Sequence, residues 1–273
     1  MLFKRALTVI FLLPAVIFVV IQKNNDIFVF SLMLVLLLAI HEYCNLASLK
    51  NGLIKTAYIF TLLITFYFLN KQSIHFMPSW ILAILVLATL WWLSTIYLIL
   101  SFPKNSSYWH DNEAFRLIIG FLVFMPMLVS LSAIHRINSN ALMLLLSLVW
   151  AADCGGYFFG KAFGKNKLCP NVSPGKTIEG VLGGVFLSSV IVNFYLFFVT
   201  EGFTIKDYFY FNVLSIIVVA ASVAGDLLES VFKRLANAKD SGNLLPGHGG
   251  VFDRIDSLTA AAPFFFLFYI FIT

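Results

Sequence analysis

Residues 209–272 read FYFNVLSIIVVAASVAGDLLESVFKRLANAKDSGNLLPGHGGVFDRIDSLTAAAPFFFLFYIFI. Two apolar runs, 209–228 and 257–272, frame a segment dense in charge. It holds Asp226, Glu229, Lys233, Arg234, Lys239, Asp240, His248, Asp253, Arg254 and Asp256, together with Pro246 and several glycines. Apolar runs of this length predict membrane-spanning helices. Charge is costly in hydrocarbon, so acids and bases crowded at the ends of two spans point to chemistry.

The rest of the chain follows the same pattern. Its 273 residues are 60% hydrophobic and 11% charged, and 30 of them are Phe. A soluble domain of this size cannot bury that much apolar surface, so the predicted fold is an all-α, polytopic integral membrane protein. Apolar stretches near 6–21, 27–46, 53–69, 80–100, 117–134, 141–160, 178–199, 209–228 and 257–272 give about nine spans, with eight or ten as alternatives. The first has a basic start but no small-x-small cleavage site, and reads as a retained anchor.

Lys and Arg set the orientation. With nine spans, one side carries Lys4, Arg5, Lys50, Lys55, Lys104, Arg116, Lys161, Lys165, Lys167, Lys176, Lys233, Arg234, Lys239 and Arg254. The other carries only Lys23, Lys71, Arg136 and Lys206. This asymmetry predicts a cytoplasmic N-terminus, an external C-terminus and the charged segment on the cytoplasmic side. It also accounts for the net charge of +5 without a nucleic-acid partner. Cys44, Cys154 and Cys169 show no paired metal spacing and are expected as free thiols.

Two unlike halves emerge. Residues 1–140 read as about five N-terminal spans, with His41-Glu42 as their notable intramembrane polar pair. Residues 141–273 read as a catalytic region of about four spans, rich in carboxylates and glycines. No internal repeat is evident, which gives an inverted-repeat transporter no support. Gly156, Gly160 and Gly164, with Gly180, Gly183 and Gly184, are spaced for close helix–helix contact.

Following the spans inward brings distant residues to one depth. Asp153 falls toward the cytoplasmic end of one span and Glu179 at the start of the next. Asp226 and Glu229 end the eighth span, and Asp253 and Asp256 begin the ninth. Asp226, Ser230 and Lys233 lie at i, i+4 and i+7 on one helix face, and Asp253 and Asp256 at i and i+3. Carboxylates without His or Cys partners suit a hard cation such as Mg²⁺. The glycine-rich loop between Lys239 and Gly250 suits phosphate oxygens, which backbone N–H groups, Lys239 and His248 can meet. A second segment, Ser173-Pro174-Gly175-Lys176-Thr177, reads as a turn at a helix start that can take an anion. Plainer alternatives stay open here. Asp226 can simply pair with Lys233 or Arg234, Asp253 and Asp256 can be helix caps, and Lys233 and Arg234 can be topology anchors. Tyr157 reads as packing or lipid contact.

At this point the chain resembles the phosphatidate cytidylyltransferases, or CDP-diacylglycerol synthases. Their signature S-x-x-K-R-x-x-x-x-K-D-x-G-x-x-(L/I/F)-P-G-H-G-G-x-x-D-R-x-D is met from Ser230 to Asp256 at every fixed position. Upstream, Asp153, Tyr157, Gly160, Gly164, Ser173, Pro174, Lys176, Thr177, Glu179 and Gly180 also match, with Gly156 where Ala often stands. The likeness is specific over about 150–260, and the N-terminal half shares hydropathy and Glu42.

The resemblance implies a reaction of CTP with phosphatidate to give CDP-diacylglycerol and pyrophosphate, with Mg²⁺ and a second cation as an open alternative. It implies Asp226, Asp253 and Asp256 as metal ligands, and Asp226, Lys239, Asp240, His248, Asp253 and Asp256 as the catalytic set. Substrate or phosphate contacts are expected from Asp153, Ser173, Lys176, Lys233, Arg234, Gly249, Gly250 and Arg254. A bacterial inner-membrane location, lateral lipid entry and a homodimer are implied as well. Two rivals fit less well. A channel needs charge through the membrane depth, and the CDP-alcohol phosphotransferase pattern D-G-x-x-A-R…G-x-x-x-D-x-x-x-D is missing.

Overall fold

The computed structural model describes residues 2–22, 24–72, 78–104, 106, 111–199 and 204–272. Lys23, used in the charge asymmetry, lies outside them, as do the side chains of Lys4 and Arg5. Among the described residues nine helices dominate: α1 (Leu2–Ile21), α2 (Asn25–Leu46), α3 (Gly52–Gln72), α4 (Ser79–Leu100), α5 (Glu113–Ile137), α6 (Ser139–Phe163), α7 (Ile178–Val199), α8 (Ile205–Leu235) and α9 (Phe252–Ile272). Eight of these, α2 to α9, are long and apolar enough to cross a membrane, while the apolar part of α1, Ile10–Ile21, is shorter. Each apolar stretch of the sequence lies in one helix, so the chain is an all-α, polytopic membrane protein.

Helix ends fall where side chains can satisfy free N–H groups. Asn112 accepts from the N–H of Ala114 at 3.0 Å and starts α5. Asn138 ends α5 and, accepting from the N–H of Asn140 at 2.9 Å, starts α6. Asp207 accepts from the N–H of Thr204 at 2.7 Å at the start of α8. Each bond supplies a partner to a donor that the helix itself leaves unpaired.

Cross-links define the two ends of the bundle. At one end, Arg136 on α5 donates to the Asn70 carbonyl on α3 at 3.2 Å, and Asn138 donates to Tyr269 Oη at 3.4 Å. At the opposite end, Thr8 donates to the Pro246 carbonyl at 3.0 Å, and Asn171 to that of Phe102 at 3.4 Å. Helix α5 is the most enclosed element, and α3 faces outward along most of its length. Fully buried Phe124, Leu36, Phe66 and Phe265 form part of the core, while Phe194, Phe197 and Phe198 are exposed on the surface that a bilayer would cover.

Helices α6 and α7 pack closely through small residues. A Cβ on Gly155 would sit 2.3 Å from the Gly183 carbonyl oxygen, and one on Gly180 2.8 Å from that of Gly156. The glycine spacing therefore does serve helix contact, as in membrane proteins generally. Helices α7 and α8 are joined by a polar pair, Asn193 Nδ2 donating to Asn212 Oδ1 at 3.1 Å.

Two features depart from the sequence-based expectation. Residues Ser173–Thr177 form a strand, β2, paired antiparallel with β1 (Lys167–Cys169) in the register Cys169↔Ser173. They are a strand where a turn was expected, but they do lead into a helix start: α7 begins at Ile178, and Thr177 Oγ1 accepts from the Gly180 N–H at 3.1 Å. Pairing with Lys167–Cys169 satisfies backbone groups that a turn would leave to solvent. Helix α8 also runs on to Leu235, well beyond the apolar run. Its 31 residues span about 46 Å against a hydrocarbon core of about 30 Å. The excess carries Asp226, Glu229, Lys233 and Arg234 to the charged end of the bundle. The three cysteines are free, and burial pushes the Cys169 thiol above its ordinary range.

Candidate active site

Helices α6, α7 and α8 and strand β2 line an open cavity of about 350 Å³. Its wall includes Asp153, Ser173, Lys176, Ser222 and Asp226, with Tyr157 and Val219 supplying apolar surface. Asp153, Ser173, Lys176 and Asp226 thus meet although they stand up to 73 positions apart (226 − 153). Tyr157, read from sequence as packing, lines this cavity, and its ring lies 5.8 Å from Lys161 Nζ. Lys176 reaches across to Asp226, Nζ to Oδ2, at 2.7 Å. The plainer alternative for Asp226 named its partner as Lys233 or Arg234; the partner is Lys176.

Behind Asp226 lies an acidic cluster. Asp226, Glu229 and Asp256 each bring one carboxylate oxygen within 4.8 Å of the others. Asp226 and Glu229 share a face of α8 at i and i+3, and Asp256 comes from α9. Close contact of the two helices makes the meeting possible. A Cβ on Gly225 would lie 2.4 Å from the Asp256 carbonyl oxygen, so any larger residue would push α9 away. Glu229 is 1% exposed, and its Oε1 has no hydrogen-bond partner among the described residues. An orphaned buried carboxylate oxygen is costly, and a bound cation would satisfy it.

The basic residues of the signature are used in distinct ways. Lys233 pairs with Glu229 and, at 2.9 Å, with Asp253, and so draws the ends of α8 and α9 together. Arg234 Nε donates to the Val172 carbonyl at 3.0 Å and ties the hairpin to α8. Lys239, Asp240 and Arg254 are exposed on the loop and the first turn of α9. His248 sits half-buried in the loop, its Nδ1 without a hydrogen-bond partner among the described residues. Gly249 adopts φ +79°, and Gly250 is buried.

Asp253 does not join the acidic cluster. Its Oδ1 accepts from Lys233, and its Oδ2 accepts from the N–H groups of Ser241 and Gly250, both at 2.8 Å, and from Ser241 Oγ at 3.0 Å. It anchors the loop onto α9. Of the residues expected from sequence as metal ligands, Asp226 and Asp256 lie in this cluster together with Glu229, and Asp253 lies beside it against the loop. The Asp226–Glu229 spacing repeats that of Asp253 and Asp256, and this was the signal available. Sequence reasoning also left Glu42 without a role. It is buried on α2 and accepts from Ser241 Oγ at 2.9 Å and from the N–H groups of Val251 and Phe252 at 3.1 and 2.8 Å. Nothing local to Glu42 could have revealed partners some two hundred positions away.

The chain matches the profile of the Cytidylyltransferase family over residues 3–272. It is 38% identical over 288 aligned positions to the phosphatidate cytidylyltransferase of Haemophilus influenzae, covering 100% of both chains. It is 37% identical to that of Pseudomonas aeruginosa, covering 97% of this chain and 96% of the relative. The corresponding protein of Staphylococcus haemolyticus is 33% identical, with 95% of each chain covered.

Proposed function

This chain belongs to the cytidylyltransferase family and is a membrane-embedded nucleotidyltransferase; on that premise we propose that it joins CTP to phosphatidate, giving CDP-diacylglycerol and pyrophosphate. The supporting observation is the meeting of Asp226, Glu229 and Asp256 beside a cavity whose wall carries Lys176. An oxygen of the lipid phosphate attacks the α-phosphorus of CTP. The new P–O bond forms as the bond to the β-phosphate bridging oxygen breaks, and that electron pair leaves with pyrophosphate. A phosphate monoester has a second pKa of about 6, so the nucleophile is largely ionised at neutral pH and needs no general base.

The chain's task is to bring two anions together. Lys176 is held beside the cavity by Asp226 and is positioned to meet a phosphate as substrate enters. Asp153 and Ser173 shape the same wall. Lys239, His248 and Arg254 border the loop side, where a triphosphate would approach from solvent. Lys233 and Arg234 act by holding the carboxylates and the hairpin in place. Magnesium fits the all-oxygen donor set of Asp226, Glu229 and Asp256, with Glu229 Oε1 as an uncommitted donor. When bound it would neutralise charge on the triphosphate and the departing pyrophosphate.

We further read the signature end of the bundle as cytoplasmic, from the Lys and Arg asymmetry. Lipid would enter sideways from that leaflet and CTP from solvent. Residues 1–140 serve as a scaffold for a catalytic region in 141–273, in a homodimer of a bacterial inner membrane. The test is pyrophosphate release from CTP by purified protein in detergent, with and without phosphatidate and Mg²⁺. Release is expected only with all three present, and Asp226→Asn should reduce it by about 100-fold or more. Release independent of phosphatidate, or none with it, would overturn the assignment.

A further inference from the structure

Glu42 lies on α2, in the half of the chain that contributes nothing to the cavity wall, and is 3% exposed. Its Oε2 accepts from Ser241 Oγ at 2.9 Å and the Phe252 N–H at 2.8 Å, and its Oε1 from the Val251 N–H at 3.1 Å. No Lys or Arg among the described residues forms a salt bridge with it. The compensating charge is the N-terminus of α9, whose unpaired N–H groups it caps from another helix. Two signature glycines leave room for it. A Cβ on Gly242 would stand 2.4 Å from Glu42 Oε1, and one on Gly250 2.3 Å from Oε2.

Building on the site described above, we propose that Glu42 is a positioning residue: it sets the signature loop and the first turn of α9, and thereby the place of Asp256 in the acidic cluster. The loop is clamped from two sides. Glu42 holds Ser241, Val251 and Phe252, while Asp253 holds Ser241 and Gly250. The Ser241 hydroxyl stands between the two carboxylates, its Oγ 2.9 Å from Glu42 Oε2 and 3.0 Å from Asp253 Oδ2, with one hydrogen to give to either. Asp256 sits one turn into α9, so an error at Val251 and Phe252 carries directly to it. The aromatic layer beneath fixes α2 to α8 and α9, with the Tyr43 ring 5.2 Å from that of Phe232 and 6.1 Å from that of Phe252. Glu42 therefore sits on a rigid base.

Each oxygen of Glu42 faces a backbone N–H, Oε1 that of Val251 and Oε2 that of Phe252, so only an acceptor at both oxygens satisfies the site. Glutamine has the same size but turns one oxygen into a donor facing a donor. A packing role would tolerate that change, whereas a positioning role does not. The test uses the full-length protein with Glu42→Gln, first by hydrogen exchange without Mg²⁺. Amides of residues 241–253 are expected to exchange about 10-fold faster or more, with α6 and α7 unchanged. In the activity assay, kcat should fall about 10- to 100-fold while KM for CTP changes little, and Glu42→Asp should recover part of the loss. Loop exchange like that of the wild type would overturn the proposal, and so would a loosened loop with unchanged kcat. If Glu42→Gln does not fold, Ser241→Ala removes one of the three bonds to Glu42, together with the hydroxyl's contacts to Asp253, and is expected to loosen the same amides to a smaller degree. Unaltered exchange there would overturn the clamp. Absence of CTP turnover in the wild-type protein would instead count against the assigned reaction, and the exchange measurement would still decide the role of Glu42.

Discussion

Glu229→Gln separates a cation ligand from a buried ion-pair partner. The side chain is 1% exposed and its replacement has nearly the same volume, so packing is preserved. Two other carboxylates bring oxygens within 4.8 Å of it. At an effective dielectric constant of 20, each such pair of charges repels by about 3.5 kcal/mol when both are ionised. Two repulsions therefore amount to about 7 kcal/mol. The attraction of Lys233, taken at a contact of roughly 3 Å, is worth about 5.5 kcal/mol on the same footing. Removing the charge leaves metal-free protein about as stable or more stable by about 1.5 kcal/mol, before proton uptake by the cluster reduces the gain. A rise of up to about 6 °C in Tm follows for a chain of this size. With Mg²⁺ the sign reverses, because the wild-type cluster gains a bound cation and the variant has lost a charged ligand. The assay is thermal unfolding in detergent across a Mg²⁺ series, beside CTP-dependent pyrophosphate release. Expected are a metal-free Tm equal to or above wild type, loss of most of the Mg²⁺-induced increase, and a fall in kcat of about 100-fold or more. A variant stabilised by Mg²⁺ as strongly as wild type, with comparable turnover, would refute the cation assignment.

Three further outcomes are expected. Lys176→Ala should raise KM about 10- to 150-fold for one substrate and far less for the other, since one charge-assisted hydrogen bond is lost; separate titrations of CTP and phosphatidate in mixed micelles check this, and equal effects would argue against a divided site. Gly225→Ala forces a Cβ to within 2.4 Å of the Asp256 carbonyl oxygen; separating α8 and α9 should lower Tm by several degrees and turnover by about 10-fold or more, whereas wild-type values for both would contradict the close approach. A cysteine at exposed Asn243, in a background lacking Cys44, Cys154 and Cys169, should react with an impermeant thiol reagent only when the inner membrane face is open; labelling of intact cells would invert the orientation.

Hydropathy by itself determined that this chain is a bundle of membrane helices, because each span must satisfy its own backbone and can do so only as a local helix. Periodicity and the alternating course of the chain also placed the charged segment at one end. Spacing along one helix is likewise local, so the shared face of Asp226 and Lys233 could be read without a structure. What side chains do with their charges was not local. Asp226 pairs with Lys176 on a strand that the sequence suggested was a turn, and Lys233 spends its charge on Glu229 and Asp253. Asp253 and Asp256 look equivalent in sequence, yet one is consumed by the loop's N–H groups while the other faces Asp226 and Glu229. Their separation depends on how closely α9 approaches α8 at Gly225, and on Glu42 reaching the loop from α2. These are contacts between elements far apart in the chain. Only the packed structure selects which donor meets which carboxylate, because a buried charge takes whichever partner the helices bring within about 3 Å.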